Sequence, residues 1–129
     1  MNGVAAIIGL ALLEYTIFGA LVGRARGTYA VPAPATTGDA TFERYFRVHQ
    51  NSLEALIVFI PALVLFADYV SVSIAVALGI IFLIGRIIYA AGYISAAEKR
   101  APGALITFVI NGILILGSVL GPIFGHLHH

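Results

Sequence analysis

Four side chains able to carry charge or hydrogen bonds recur at helical spacing in the stretch from Phe42 to Pro61. Arg44, Arg47, Asn51 and Glu54 stand three, four and three residues apart. On an α-helix that spacing puts them on one face. A cation, an amide and a carboxylate in a row, running into an apolar segment, could line a polar pocket near a membrane boundary. The same row also fits a juxtamembrane helix whose charges are simply solvated or paired, and spacing alone leaves both readings open. A second row, Arg86, Tyr89, Tyr93 and Arg100, is spaced three, four and seven and again shares a helix face. Arg86 lies inside an apolar run, where an arginine costs about 2.5–3.5 kcal/mol at the span centre on insertion scales and turns toward the bundle interior. The expected partner is Glu54, as a pocket or structural ion pair. Tyr89 and Tyr93 are interfacial anchors or, on the arginine face, pocket residues. Glu14 stands alone in the first apolar run. It is a proton or cation site there, or a neutral acid bonded to a hydroxyl such as Thr16 or to a tyrosine of another helix.

The elements that must position these rows are membrane spans. Of 129 residues, 60 % are hydrophobic and only 10 % charged, and the mean hydropathy is +1.02. Soluble domains carry about 25 % charged residues, so the chain is read as an integral membrane protein. Four segments near the roughly 20 residues needed to cross a bilayer are expected at about 4–25, 42–70, 72–98 and 103–124, with a loop over 26–41. None alternates as barrel strands do, which leaves helices as the spanning structure. The fold class is therefore all-α, a single four-transmembrane-helix bundle. Pro32, Pro34 and Gly38 make the first connection irregular, and Pro61 is expected to bend helix 2 or loosen its bonding.

All seven basic residues lie in, or on the approach to, the connections between helices 1–2 and 3–4. The positive-inside rule puts those two loops in the cytoplasm and both termini on the opposite side. Small residues at four-residue spacing, Gly19, Gly23 and Gly27 on helix 1 and Gly117, Gly121 and Gly125 on helix 4, suit close helix packing within the bundle or between subunits. The first apolar segment begins without a basic leader and is expected to be a retained span. The net charge of +1 gives no reason to expect nucleic acid, and the absence of cysteine excludes an intrinsic thiol nucleophile or thiolate metal site. No convincing metal-ligand cluster is visible. The terminal His126, His128 and His129 are native or the start of a tag and carry no functional argument.

Three stretches together resemble a known superfamily: Pro34-Ala-Thr-Thr-Gly38, then Phe42-Glu-Arg-Tyr-Phe-Arg-Val-His-Gln-Asn-Ser-Leu-Glu54, then Gly85-Arg-Ile-Ile-Tyr-Ala-Ala-Gly-Tyr93 with Lys99-Arg-Ala-Pro102. They resemble the MAPEG superfamily, the membrane-associated proteins in eicosanoid and glutathione metabolism, and are closest to its short bacterial, microsomal-glutathione-transferase-like members. The resemblance implies a homotrimer of four-helix bundles in the bacterial inner membrane, with glutathione held as cosubstrate between neighbouring subunits near the cytoplasmic face. It implies glutathione contacts at Arg26, Arg47, Asn51, Glu54, Tyr89 and Tyr93, and a thiolate-stabilising, catalytic role for Arg100. Position 55 is Ala where the leukotriene synthases have a tyrosine contact, so their detailed specificity does not carry over. His49 is left without an assigned role.

This chemistry agrees with the residues. Glutathione's carboxylates suit Arg47 and Arg26, and its ammonium suits Glu54. Its thiol, like that of cysteine, has a pKa of about 8.5, and a nearby arginine raises the reactive thiolate fraction at neutral pH. A lipophilic electrophile or hydroperoxide would then arrive from the bilayer, making the chain a glutathione transferase or peroxidase without a metal. Two other readings stand beside it. One is a small proton-coupled multidrug exporter using Glu14. The other is a non-catalytic scaffold of the same fold.

Overall fold

A computed structural model of the chain describes residues 1–125; the terminal histidines lie outside the described residues. Four long helices follow one another: α1 over Asn2–Thr28, α2 over Ala40–Tyr69, α3 over Val72–Ser95 and α4 over Ala101–Phe124, with a 3-10 turn at Ala97–Arg100 between the last two. All four are long and apolar enough to cross a membrane. Large apolar side chains point outward along their length, among them Leu13, Ile57, Ile87, Leu105 and Phe108. A water-exposed surface does not carry such a belt, and the chain is a multi-pass integral membrane protein.

Local chemistry accounts for the helix starts. Asp39 caps α2, its side chain accepting from the Phe42 amide at 2.8 Å, and Glu43 adds negative charge to the first turn. Ser71 caps α3 in the same way, accepting from the Ile74 amide at 3.2 Å. Pro102 sits in the first turn of α4, where no intrahelical amide is needed. Asp39→Ala is expected to lower the unfolding free energy by about 1 kcal/mol, read by denaturation of the purified protein.

Helices α1 and α2 each begin two residues before the expected spans, at Asn2 and Ala40, and three further boundaries differ. The first helix runs on through Arg24 and Arg26 to Thr28, because nothing before Pro32 blocks its hydrogen bonds. It ends where Ala30 turns left-handed at φ 56°. The third helix stops at Ser95, since Ala96 is extended, and residues 97–100 wind back as the 3-10 turn. The fourth starts two residues early, at Ala101. Pro61 lies inside α2 without ending it, and its missing N–H removes the intrahelical donor for the Ile57 carbonyl.

Helices α2, α3 and α4 pack on one another, and α1 lies against α2 and α3. The main core gathers Ile7, Ala11, Leu56, Phe59, Leu63, Phe82, Ile110 and Leu114. At its centre the Phe59 and Phe82 rings stack 3.7 Å apart. The small residues of α4 serve packing within the chain: Gly117 and Gly121 lie under Phe66 and Tyr69 of α2. On α1, Gly19 lies under His49, whereas methyl groups added at Gly23 and Gly27 would meet nothing within 4 Å.

Candidate functional site

The two polar rows read from the sequence meet along one side of the bundle. The Asn51 amide donates to the Tyr89 hydroxyl at 2.6 Å, joining α2 to α3. Tyr89 is buried and meets Tyr93 edge-on, with ring centroids 5.6 Å apart. The Arg100 guanidinium lies 5.6 Å from the Tyr93 ring centroid and donates to the Ala97 carbonyl at 2.7 Å, which ties it to its own turn. Arg86 stacks over Tyr89 at 4.1 Å. From the 3-10 turn and then along α3 toward the middle of the bundle the order is therefore Arg100, Tyr93, Tyr89, Arg86, with Asn51 bonded across at Tyr89.

Two grooves follow this line. The first, about 290 Å³, opens near the start of α2 between Glu43, Arg44, Arg47, Tyr93 and Ala97. Arg47 is exposed there. Arg44 is committed to structure, donating to the Ile94 carbonyl at 3.0 Å and the Thr41 hydroxyl at 3.2 Å, so that it locks the start of α2 to the end of α3. The second groove, about 460 Å³, lies deeper between α2, α3 and α4. Its polar wall is Asn51, Glu54, Arg86, Tyr89, Thr107 and Asn111, and its apolar wall includes Val58, Phe108 and Ile115. Cationic groups at a boundary groove and a mixed groove beside it suit a ligand with an anionic head whose reactive end meets an apolar second molecule.

Arg86 is held otherwise than expected. It is 4 % exposed, and its guanidinium donates to the Ser52 hydroxyl at 2.9 Å and the Thr107 hydroxyl at 3.2 Å. Glu54 is not among its hydrogen-bond partners. It shares the deeper groove with Arg86 but faces outward. Two neutral hydroxyls hold Arg86 because they come from the faces of α2 and α4 that turn inward, whereas Glu54 projects from the rim.

Arg26 is placed apart from both grooves. Its guanidinium donates to the carbonyls of Ala35 at 2.7 Å and Val31 at 3.3 Å and stands 5.0 Å from the Phe42 ring centroid. Within one chain it braces the connection between α1 and α2. His49 stacks on Tyr15 of α1 at 4.4 Å, at the helix contact opposite the grooves. Thr16 bonds back to the Leu12 carbonyl at 2.8 Å, and Glu14 lines a small recess that Arg86 also lines. No group of three His, Asp or Glu side chains able to hold a metal occurs among the described residues.

Sequence reasoning missed Ser52, Thr107 and Asn111. Asn111 reaches back to α2, donating to the Ala55 carbonyl at 3.3 Å. A usable signal was present. Thr107 and Asn111 are four apart and are the polar pair of an otherwise apolar first half of α4, which marks the face turned toward Arg86.

Comparison with known proteins agrees with this layout. The profile of the MAPEG family matches residues 4–120. An uncharacterized protein of Synechocystis sp. is 47 % identical over 116 residues, covering 90 % of this chain and 85 % of that protein. Human microsomal glutathione S-transferase 2 is 38 % identical over 117 residues, covering 91 % and 80 %. Guinea-pig leukotriene C4 synthase is 33 % identical over 94 residues, covering 73 % and 61 %. A match over nearly the whole four-helix unit, including both polar rows, leaves one conclusion: this chain belongs to the MAPEG family.

Proposed function

We propose that the protein is a glutathione-dependent membrane enzyme, a transferase or peroxidase acting on lipophilic electrophiles or hydroperoxides. The observation that carries this reading is the adjacency of the two grooves. Arg47 and Tyr93 line the boundary groove, Asn51, Glu54 and Tyr89 line the deeper one, and the edge-on contact of Tyr89 with Tyr93, 5.6 Å between ring centroids, runs from one to the other. Arg47 takes a carboxylate of glutathione, Glu54 its ammonium and Asn51 a peptide group, while Arg100 stands over Tyr93 to hold the sulfur as thiolate. The apolar wall of the deeper groove takes the second substrate, delivered from the bilayer. The activity named for the human relative supports glutathione as the thiol.

The assembly belongs to the same proposal. The site face is open on a single chain, with Arg47 and Glu54 exposed, and Arg26 stands apart from it. In a homotrimer a neighbouring subunit covers this face and presents its own Arg26 region to the ligand. In this reading the loops after α1 and α3 face the cytoplasm of a bacterial inner membrane, which the clustering of the basic residues in or near those loops supports.

Calorimetric titration of glutathione into the detergent-purified protein tests the proposal. Wild type is expected to bind saturably, and Arg47→Ala and Glu54→Ala to bind at least about tenfold more weakly, the effect of losing a charge-assisted hydrogen bond. Wild-type affinity in both variants would mean that the site is elsewhere. A folded, oligomeric wild type that binds no glutathione would remove the enzyme reading and leave the fold.

A further inference from the structure

Arg86 has more hydrogen-bonding capacity than its neighbours satisfy. Its two terminal nitrogens donate to Ser52 and Thr107, but its Nε–H is buried without a partner. An unmet guanidinium donor in the low-dielectric interior is costly, and so is a buried cation bonded to no anion. On the side of Arg86 away from the deeper groove lies a small recess of about 10 Å³ between α1, α2 and α3. Its polar lining consists of Arg86, Ser52, Tyr15 and the one carboxylate there, Glu14. The volume matches a single water, which needs two to four polar partners. Ser52 Oγ already accepts from Arg86, so its own O–H remains to donate.

We propose that Glu14 is the counter-ion of Arg86 through one internal water, and that this bridge positions Arg86 and, through it, Tyr89 and Asn51. The water accepts from Arg86 Nε–H and from the Ser52 hydroxyl and donates to the Glu14 carboxylate. Arg86 covers the face of the Tyr89 ring, and Tyr89 accepts from Asn51. A displaced guanidinium therefore disturbs the wall of the deeper groove although Glu14 never touches it. The polar residue of α1 that looks like a cation or proton site in the sequence is a positioning residue.

The inference rests on the proposed glutathione site for one of its readouts, so the test carries a second that needs no ligand. Glu14→Gln, Arg86→Met and the double variant are compared by glutathione affinity and by thermal midpoint. Glu14→Gln is expected to weaken glutathione binding about fivefold to tenfold and to lower the midpoint. In the Arg86→Met background the same change is expected to do neither, since residues in one network are non-additive. Equal losses in both backgrounds, or no loss in either, would overturn the bridge. Glu14→Asp, which keeps the charge, is expected to stay within about twofold of wild type in affinity and to keep its midpoint. If Asp and Gln lower the midpoint equally, the role is one of shape and the proposal fails even where Arg86→Met does not fold. If wild type binds no glutathione but the midpoints still couple, the bridge stands and only the glutathione reading falls.

Discussion

Arg100→Ala is expected to lower the rate of glutathione conjugation about hundredfold, the scale of removing one preorganised group that stabilises developing or resident negative charge. The glutathione dissociation constant is expected to change by less than about threefold. The asymmetry follows from where Arg100 sits. It ends a 3-10 turn whose Ala97 carbonyl accepts one of its N–H groups, and its guanidinium is stationed at the Tyr93 ring. Those contacts hold the fork still while leaving other N–H groups for an anion. A fixed cation beside a sulfur stabilises the thiolate over the thiol, lowering the thiol pKa from about 8.5. In the proposed site the binding of glutathione's two ends falls instead to Arg47 and Glu54. The sign of the pH dependence is then determined. Without Arg100 the thiol keeps its ordinary pKa, so the deficit is largest near neutrality and shrinks as pH rises through about 8.5. Rate–pH profiles of wild type, Arg100→Ala and Arg100→Lys measure this, with the lysine variant partly restored because it keeps the charge and loses the fork. A variant with undiminished turnover and the wild-type profile would take the thiolate role away from Arg100.

The parts of this site that were readable in the sequence are those expressed by one helix. Arg47, Asn51 and Glu54 fall on one face because α2 is unbroken from Ala40 to Tyr69, and Arg86, Tyr89 and Tyr93 do so on α3. What periodicity cannot express is which face of a second helix a side chain meets. Glu54 was the nearest conceivable partner for Arg86 by charge, yet Ser52, two residues earlier on α2, is the residue turned inward. The preference for hydroxyls is physical: buried ion pairs carry desolvation costs on both sides, and neutral groups can satisfy a guanidinium without the second cost. Arg26 illustrates the other limit. The resemblance implies a ligand contact there, and within one chain the bend of residues 29–39 supplies the carbonyls to which Arg26 donates. Several helix ends fall two or three residues from the expected span limits, since a helix runs on to its cap rather than to the edge of its apolar run.

Gly103→Ala is expected to destabilise the protein by about 3 kcal/mol, at the upper end of the cost of overpacking a closed contact. Gly103 is buried in the first turn of α4, where a methyl group would strike the Tyr89 backbone nitrogen and Cα and the Tyr89 Cβ. A side-chain tip could swing away, but the middle of α3 cannot move without its helix. The two helices would have to separate at the level of Tyr89. The next inward residue on α4 is Thr107, whose 3.2 Å bond from Arg86 spans the same gap. The site therefore loosens along with the packing, and the glutathione affinity should fall with the thermal midpoint. Gly9→Ala is the companion measurement. Gly9 lies inside α1, where the added methyl meets nothing within 4 Å, and replacing a helical glycine by alanine is favourable by about 0.5–1 kcal/mol. Opposite signs for the two variants would show that the α3–α4 approach at Gly103, and not helix propensity, sets the spacing of the groove. Equal midpoints would mean that the helices have slack at Tyr89, and the position of Tyr89 would then have to depend on Asn51 and Arg86 alone.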